Sequence, residues 1–289
     1  MPLPARIQLQ PTEHRLCWPY LQTGGIMIAR AIAILAAVFV AALPAEAQIS
    51  RCLAVAGSEP LIEPAGFTPA QLKLDEVRVR FVGHSTFLIE SPGGVTIATD
   101  YTGHSAGVVP RVVTMNRAHS SHYTDHPDPA IEHVLRGWNP EGGAANHHLE
   151  VGDVVIRNVP TDIRSWEGGA VRDANSIFIF EVGGLCIGHL GHLHHELGPE
   201  HVGWIGRLDV LMVPVDGSYT IAQASMINVI KLLRARIVLP MHYFGPTTLR
   251  RFLDGLGEEF DIEISSTAEV VLSEASLPPA PKVLVLPGY

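Results

Sequence analysis

Short apolar runs bounded by turn residues recur along this chain and read as strands, one of them alternating apolar and polar with a period of two. Val77 to Glu90 reads as two short strands broken near Gly83: VRVRF alternates, and TFLIE follows. Pro92-Gly93-Gly94 is a turn signal, and Val95 to Thr99 is a β-rich run ending at Asp100. Val108-Val109 and then Val112 to Met115 suggest a further strand, interrupted by Pro110. Asn116 to Asp128 is polar and reads as a loop, and Pro129 to Arg136 as one or two helical turns. Residues 137–148 are rich in Gly and Asn and read as loop. Leu149 to Val159 forms a hairpin turning at Gly152-Asp153, and NSIFIFEVGGLCI (175–187) is the clearest hairpin, turning at Gly183-Gly184.

The second half adds a different period. Asp209 to Val215 is a strand, and Ile221 to Leu233 is helical, with Ile221, Ala224, Met226, Ile227, Ile230 and Leu233 on one broad face. Thr220 or Ser218 is placed to cap it. Arg236 to Leu239 is a short strand that Pro240 should end, and Thr247 to Leu256 is the next helix. Strands and helices intermix without a repeat or a long linker, which predicts one α/β domain.

The N-terminus has its own pattern. Residues 31–43, AIAILAAVFVAAL, carry no charge; Arg30 precedes them and Ala45-Glu46-Ala47 follows. That is the layout of a cleaved secretory signal. The run is short for a membrane span, which needs about 20 apolar residues, although Gly25 to Ala29 lengthen it toward an uncleaved anchor. Met27 offers an alternative start. The division is therefore 1–47 signal peptide with an upstream extension, 48–75 irregular lead-in, and 76–289 the folded domain. Export predicts a periplasmic or secreted protein that meets the membrane in transit; the alternative is a protein anchored by its N-terminus.

Charge narrows the partners. The chain carries −9. The first 47 residues hold Arg6, Arg15 and Arg30 against Glu13 and Glu46, or +1, so the remainder is −9 − 1 = −10. No basic patch is evident, which argues against nucleic acid and for a small-molecule substrate. After cleavage two cysteines remain, Cys52 and Cys186. An exported protein can pair them, and a buried free thiol at Cys186 is as ordinary; their spacing is not a metal motif.

Fifteen histidines are present, and their placement matters more than their number. His119 and His122 lie in a loop after one strand, His189, His192, His194 and His195 after another, and His242 after a third. Polar ligands at strand ends along one rim can converge. Imidazoles suit zinc, iron or copper, so the expected cofactor is one divalent metal, zinc first, on His119, His122, His192 and His242. The bland alternative is a buried polar network. His147 and His148 read as surface, and His133 and His201 as surface helix or loop.

Gly83-His84-Ser85-Thr86-Phe87-Leu88-Ile89-Glu90, Thr99-Asp100, Asn175-Ser176-Ile177, His189-Leu190-Gly191-His192-Leu193 and Ile237 to Tyr243 together resemble metallo-β-lactamase-fold hydrolases. The branch they look most like contains ascorbate-6-phosphate lactonase-like and N-acyl-phosphatidylethanolamine phospholipase D-like proteins. The resemblance spans about residues 77–255. It implies a four-layer αββα sandwich with a metal site at the rim between two sheets. It also implies metal-dependent hydrolysis of an ester, lactone or phosphodiester.

The departures are specific. The family's H-x-H-x-D-H segment is here Arg117-Ala118-His119-Ser120-Ser121-His122, so Arg117 replaces a histidine and Ser121 an aspartate. His192 stands where a metal-bridging aspartate is usual, and Thr161 or Asp162 where a middle histidine is usual. Loss of the bridging carboxylate and gain of Arg117 favour one metal over two. The resemblance implies that Asp100 orients a ligand, that His84 binds substrate or donates a proton, and that Arg117 and His192 take part in catalysis. His189, Asp162, Asp125, His126 and Asp216 are candidate supporting or alternative ligands. The competing readings are a non-catalytic metal- or ligand-binding module and a mononuclear oxidoreductase.

Overall fold

A computed structural model of the protein describes residues 50–53 and 72–288. The export segment and most of the lead-in lie outside these described residues. Two sheets face each other. One has six strands in the order β13-β1-β2-β3-β4-β5: Glu269–Leu272, Val77–Gly83, Thr86–Glu90, Thr96–Ala98, Val112–Met115 and His133–Arg136. The other has eight, in the order β12-β14-β11-β10-β9-β8-β7-β6. These are Asp261–Ile264, Lys282–Val285, Ile237–Met241, Val210–Pro214, Leu185–His189, Ala170–Val182, Val154–Arg164 and His148–Val151. Among the described residues three α-helices, α1 (Pro199–Ile205), α2 (Gln223–Leu233) and α3 (Pro246–Leu256), complete the mixed α/β sandwich. Among the described residues no helix is long and apolar enough to cross a membrane.

The pleat of each strand, which turns successive side chains to opposite faces, sorts the core. Val77, Val79, Phe87, Phe178, Ile187, Met212 and Leu239 point between the sheets. Their neighbours Ile177, Ile179, Cys186, Leu211 and Val238 point outward, where Met226, Ile227, Ile230 and Phe252 of α2 and α3 cover them. Met226, Ile227, Ile230 and Leu233 of the face predicted for α2 thus pack on the eight-stranded sheet, whereas Ala224 is exposed and the helix starts at Gln223 behind Ala222, not behind a Ser218 or Thr220 cap. The outer face of the six-stranded sheet is covered differently, by Tyr101, Val108, Tyr123, Ile131 and Trp138 from loops and connections.

Three further local expectations change. Residues 133–136 are strand rather than helix: β5 pairs in parallel with β4 from Val112↔His133 to Met115↔Arg136, and these ladder bonds override a weak local preference. Pro240 lies inside β11 instead of ending it. By Pro240 the ladder to β14 has stopped after Val238, and β11 pairs with β10 alone, so the missing N–H leaves no bond unmade on that side. His147 is not a plain surface residue, since its Nε2 lies 2.7 Å from the Arg136 carbonyl and its ring stacks on Phe178.

Cys52 and Cys186 are joined as a disulfide, across 134 residues of sequence. Ser50 and the Arg51 amide also bond to Glu181, so this part of the lead-in is pinned to β8. Closing so long a loop restricts the unfolded chain, worth about 2–5 kcal/mol. Reduction without substitution should lower the unfolding free energy by that amount in urea titrations. Equal stability of the oxidised and reduced forms would show that the bridge adds nothing.

Candidate metal centre

Three strand ends and one loop build the site. β4 feeds the loop carrying His119 and His122, β9 leads into His192, and β11 ends immediately before His242. The parallel run β9-β10-β11 puts the last two on one rim. One nitrogen from each of His119, His122, His192 and His242 falls within 4.8 Å of the others. His119 Nε2 is 2.9 Å from His192 Nε2, and His122 Nε2 is 3.0 Å from His242 Nε2. His122, His192 and His242 are buried, and His119 is half-buried at the mouth.

The backbone is held in an unusual state here. Of six non-glycine residues with positive φ among the described residues, three belong to this rim: His84 (51°), Asp100 (40°) and His242 (57°). Such conformations cost free energy and persist only where the surroundings fix them. One fixing bond is direct, from the His242 amide to the His84 carbonyl at 2.7 Å.

Carboxylates orient two of the rings. Asp100 Oδ2 lies 2.5 Å from His122 Nδ1, with Ser85 Oγ 3.1 Å away. Asn116 donates to the other Asp100 oxygen at 2.9 Å. Asp216 Oδ1 lies 3.1 Å from His242 Nδ1, bent away from good hydrogen-bond alignment; we read the pair as electrostatic contact. Either carboxylate requires a hydrogen, not a lone pair, on the Nδ1 it faces. His122 and His242 therefore turn Nε2 lone pairs toward each other at 3.0 Å. Two facing lone pairs repel unless a cation lies between or beside them, so this donor set fits a metal ion.

The electrostatics keep the imidazoles available. Burial, followed by repulsion from neighbouring histidines, lowers the pKa of His122 and His192 well below the ordinary imidazole range. Burial and His242 lower that of His119. Burial raises Asp100 to about 6, opposed chiefly by His189 and Asn116. Burial would also raise Asp216, but the neighbouring His242 imidazole and hydrogen bonds from the Thr220 hydroxyl and the Ser218 amide outweigh it and hold that carboxyl well below its ordinary value. His84 falls to about 4 through burial, His242 and His119; its ring lies 4.1 Å from that of His242, and its Nε2 is buried without a partner.

Other expected participants are placed elsewhere. Arg117 is exposed and does not line the cavity at the site, so the cation expected there is absent from that position. Asp125 and His126 are exposed and outside the histidine cluster, because the loop after His122 runs over the outer face of the six-stranded sheet. Asp162 accepts from the Asp173 amide and shapes the β7–β8 hairpin. Both nitrogens of His189 are used, Nε2 toward the Ser85 carbonyl at 2.9 Å and Nδ1 accepting from the Gly191 amide at 3.1 Å, so it braces the rim.

Several residues have supporting contacts to which the sequence reading assigned no role. Ser121, in the place of the expected aspartate, sets its Oγ 2.6 Å from His119 Nδ1. Asn175 accepts from the His192 amide at 2.7 Å. His194 Nε2 lies 2.5 Å from His192 Nδ1, and Arg164 reaches His194 and three backbone carbonyls at residues 218–220. The alternation His192-Leu193-His194 was the one available hint. A cavity of about 860 Å³ opens beside His119 and His192, with Ile163, Trp166, Val171 and Tyr219 forming an apolar wall.

Residues 78–242 match the family profile of the beta-lactamase superfamily domain. The chain belongs to this superfamily. The matched stretch runs from β1 to His242 and so contains all four histidines. Among superfamily relatives, a UPF0173 metal-dependent hydrolase of Archaeoglobus fulgidus is 24% identical over 196 residues, covering 58% of this chain and 83% of its own. Another from Pyrococcus abyssi is 27% identical over 192 residues, covering 58% and 84%. A crystal structure from Thermotoga maritima, described as a candidate Zn-dependent hydrolase of the metallo-beta-lactamase superfamily, is 28% identical. It superposes with a TM-score of 0.54, over 73% of this chain and 98% of the other.

Proposed function

We propose that this protein is an exported hydrolase that uses one divalent metal, zinc first, to cleave a carboxylic ester or lactone bearing an apolar group. The observation that carries the reading is the convergence of His119, His122, His192 and His242, two of which, His119 and His192, line the large cavity. The metal-dependent hydrolases among its relatives support it.

A bound divalent metal would supply an activated water and polarise the scissile oxygen. His119, His122 and His242 would hold it. Asp100, Asp216 and Ser121 keep those rings in place. Ile163, Trp166, Val171 and Tyr219 accept the apolar part of the substrate and exclude water from it. Within the described lining the one guanidinium, that of Arg164, is tied to the three carbonyls of residues 218–220. A phosphodiester would find no uncommitted cation there, which favours the lactonase-like side of the resemblance. The Cys52–Cys186 disulfide supports an oxidising compartment and hence export.

Elemental analysis of the purified protein before and after chelation tests the reading, with hydrolysis of a chromogenic aryl ester followed in parallel. Near one zinc per chain and ester cleavage abolished by chelation are expected. One iron or copper would move the reading to redox chemistry, and no metal would overturn it. The N-terminus of protein recovered from the periplasm should begin at Gln48 or within a few residues; a full-length N-terminus in the membrane fraction would show an anchor instead.

A further inference from the structure

Four histidines converge, yet one of them is wired differently. Arg164 presents two donors to His194 Nδ1: its backbone N–H at 2.9 Å and its guanidinium Nε–H at 3.3 Å. Neither can act as an acceptor. His194 Nδ1 must therefore be a lone pair, and its hydrogen sits on Nε2. That Nε2–H faces His192 Nδ1 at 2.5 Å, so His192 Nδ1 accepts. A neutral imidazole that accepts on Nδ1 carries its hydrogen on Nε2. His192 thus turns an N–H into the cluster, toward His119 Nε2 at 2.9 Å. His119 accepts there and donates from Nδ1 to Ser121 Oγ at 2.6 Å.

The other two rings are set the opposite way. Asp100 accepts the hydrogen on His122 Nδ1, and the Asp216 carboxylate 3.1 Å from His242 Nδ1 favours electrostatically a hydrogen there over a lone pair, which leaves lone pairs on both Nε2 atoms. The cluster therefore contains three imidazole lone pairs, on His119, His122 and His242, and one N–H, on His192.

We infer that His192 is not a metal ligand: His194, locked by the Arg164 amide, fixes it as a hydrogen-bond donor aimed at the reacting oxygen. This rests on the metal reading of the site. It removes a difficulty in that reading, because four imidazoles would close a tetrahedral zinc, whereas three leave a position open for water. With the His119 lone pair engaged elsewhere, the His192 N–H loses its present acceptor and is free for an oxygen that gains negative charge. His192 is then a catalytic donor of the kind whose removal costs about 10²–10³ in kcat. His194 and Arg164 are positioning residues that act through it.

The test reads nitrogen protonation directly. In ¹⁵N-histidine-labelled full-length protein without metal, His192 Nε2 should show the shift of a protonated ring nitrogen and Nδ1 that of a lone pair. After addition of ¹¹³Cd²⁺, coupling to the metal should appear at His119, His122 and His242 and be absent at His192. His194→Ala frees His192 to exchange tautomers and join the metal. It should bind Zn²⁺ tighter by about tenfold, the low end of what ligand-orienting partners change, and show cadmium coupling at His192. His194→Gln, whose amide can accept from Arg164 and donate to His192, should restore wild-type behaviour. A lone pair at His192 Nε2 in the metal-free protein, or wild-type cadmium coupling at His192, overturns the inference. So does metal affinity that is unchanged or weaker in folded His194→Ala. Absence of any cadmium binding would instead overturn the metal reading; the two failures are separable because the metal-free tautomer is measured first.

Discussion

Replacing His122 by alanine is expected to abolish metal binding, weakening Zn²⁺ affinity by more than about 100-fold, the upper end of what loss of a ligand-orienting partner costs. His122 is the most constrained of the cluster. It is fully buried, its Nδ1 is held by Asp100 at 2.5 Å, and its Nε2 faces that of His242 at 3.0 Å. The variant removes one of the converging imidazoles and also leaves the buried Asp100 carboxylate without its ring partner. His119→Ala and His242→Ala should lose metal to a similar extent, whereas His192→Ala should lose turnover with much less metal loss. His147→Ala, away from the cluster, should retain metal. Competition titration with a chromogenic zinc chelator measures all five. Tight binding in His122→Ala would mean that these rings form a polar network and not a metal centre.

Gly191→Ala is expected to cost about 3 kcal/mol or more of stability and to loosen the metal site with it. The position has φ of +59°, and an added Cβ would lie 2.3 Å from Asn116 Nδ2 and 2.4 Å from Asn175 Oδ1. Strained φ costs about 1–3 kcal/mol, and overpacking a filled site costs about as much again. The two asparagines that would have to move are the ones that hold Asp100 and the His192 amide. One methyl group therefore disturbs two ring-orienting contacts at once. Gly168→Ala is the control: its φ is +95° and nothing lies within 4 Å of the added carbon. It should show the backbone cost alone, with unchanged metal affinity. Urea titration and zinc competition on both variants decide the point. Equal losses would show that the close contact relaxes freely and that the asparagines do not transmit it.

What the sequence determined by itself was the local geometry and the four histidines that the fold gathers into one cluster. Alternation in VRVRF marked one buried face for β1, and the apolar run of NSIFIFEVGGLCI with Gly183-Gly184 at its centre made the β8–β9 hairpin legible without any tertiary knowledge. The three-to-four-residue spacing of Ile221 to Leu233 likewise fixed the buried face of α2. Histidines immediately after strands pointed to one rim because parallel strands end together. Tertiary structure decided the rest. Residues 133–136 became a strand because β4 offered a free edge, and Pro240 fitted inside β11 because one of its neighbours had already ended; neither fact is local. Pairing of Cys52 with Cys186 depended on two segments 134 residues apart meeting. Most of all, hydrogen placement in the cluster lay beyond reading from sequence. Whether an imidazole offers a lone pair or an N–H depends on what touches its other nitrogen, and those partners, Asp100, Asp216 and the Arg164 amide, come from distant parts of the chain. Arg117, adjacent in sequence to the ligand loop, faces solvent instead, because a side chain's direction at a strand end is set by the packing around it and not by the motif in which it stands.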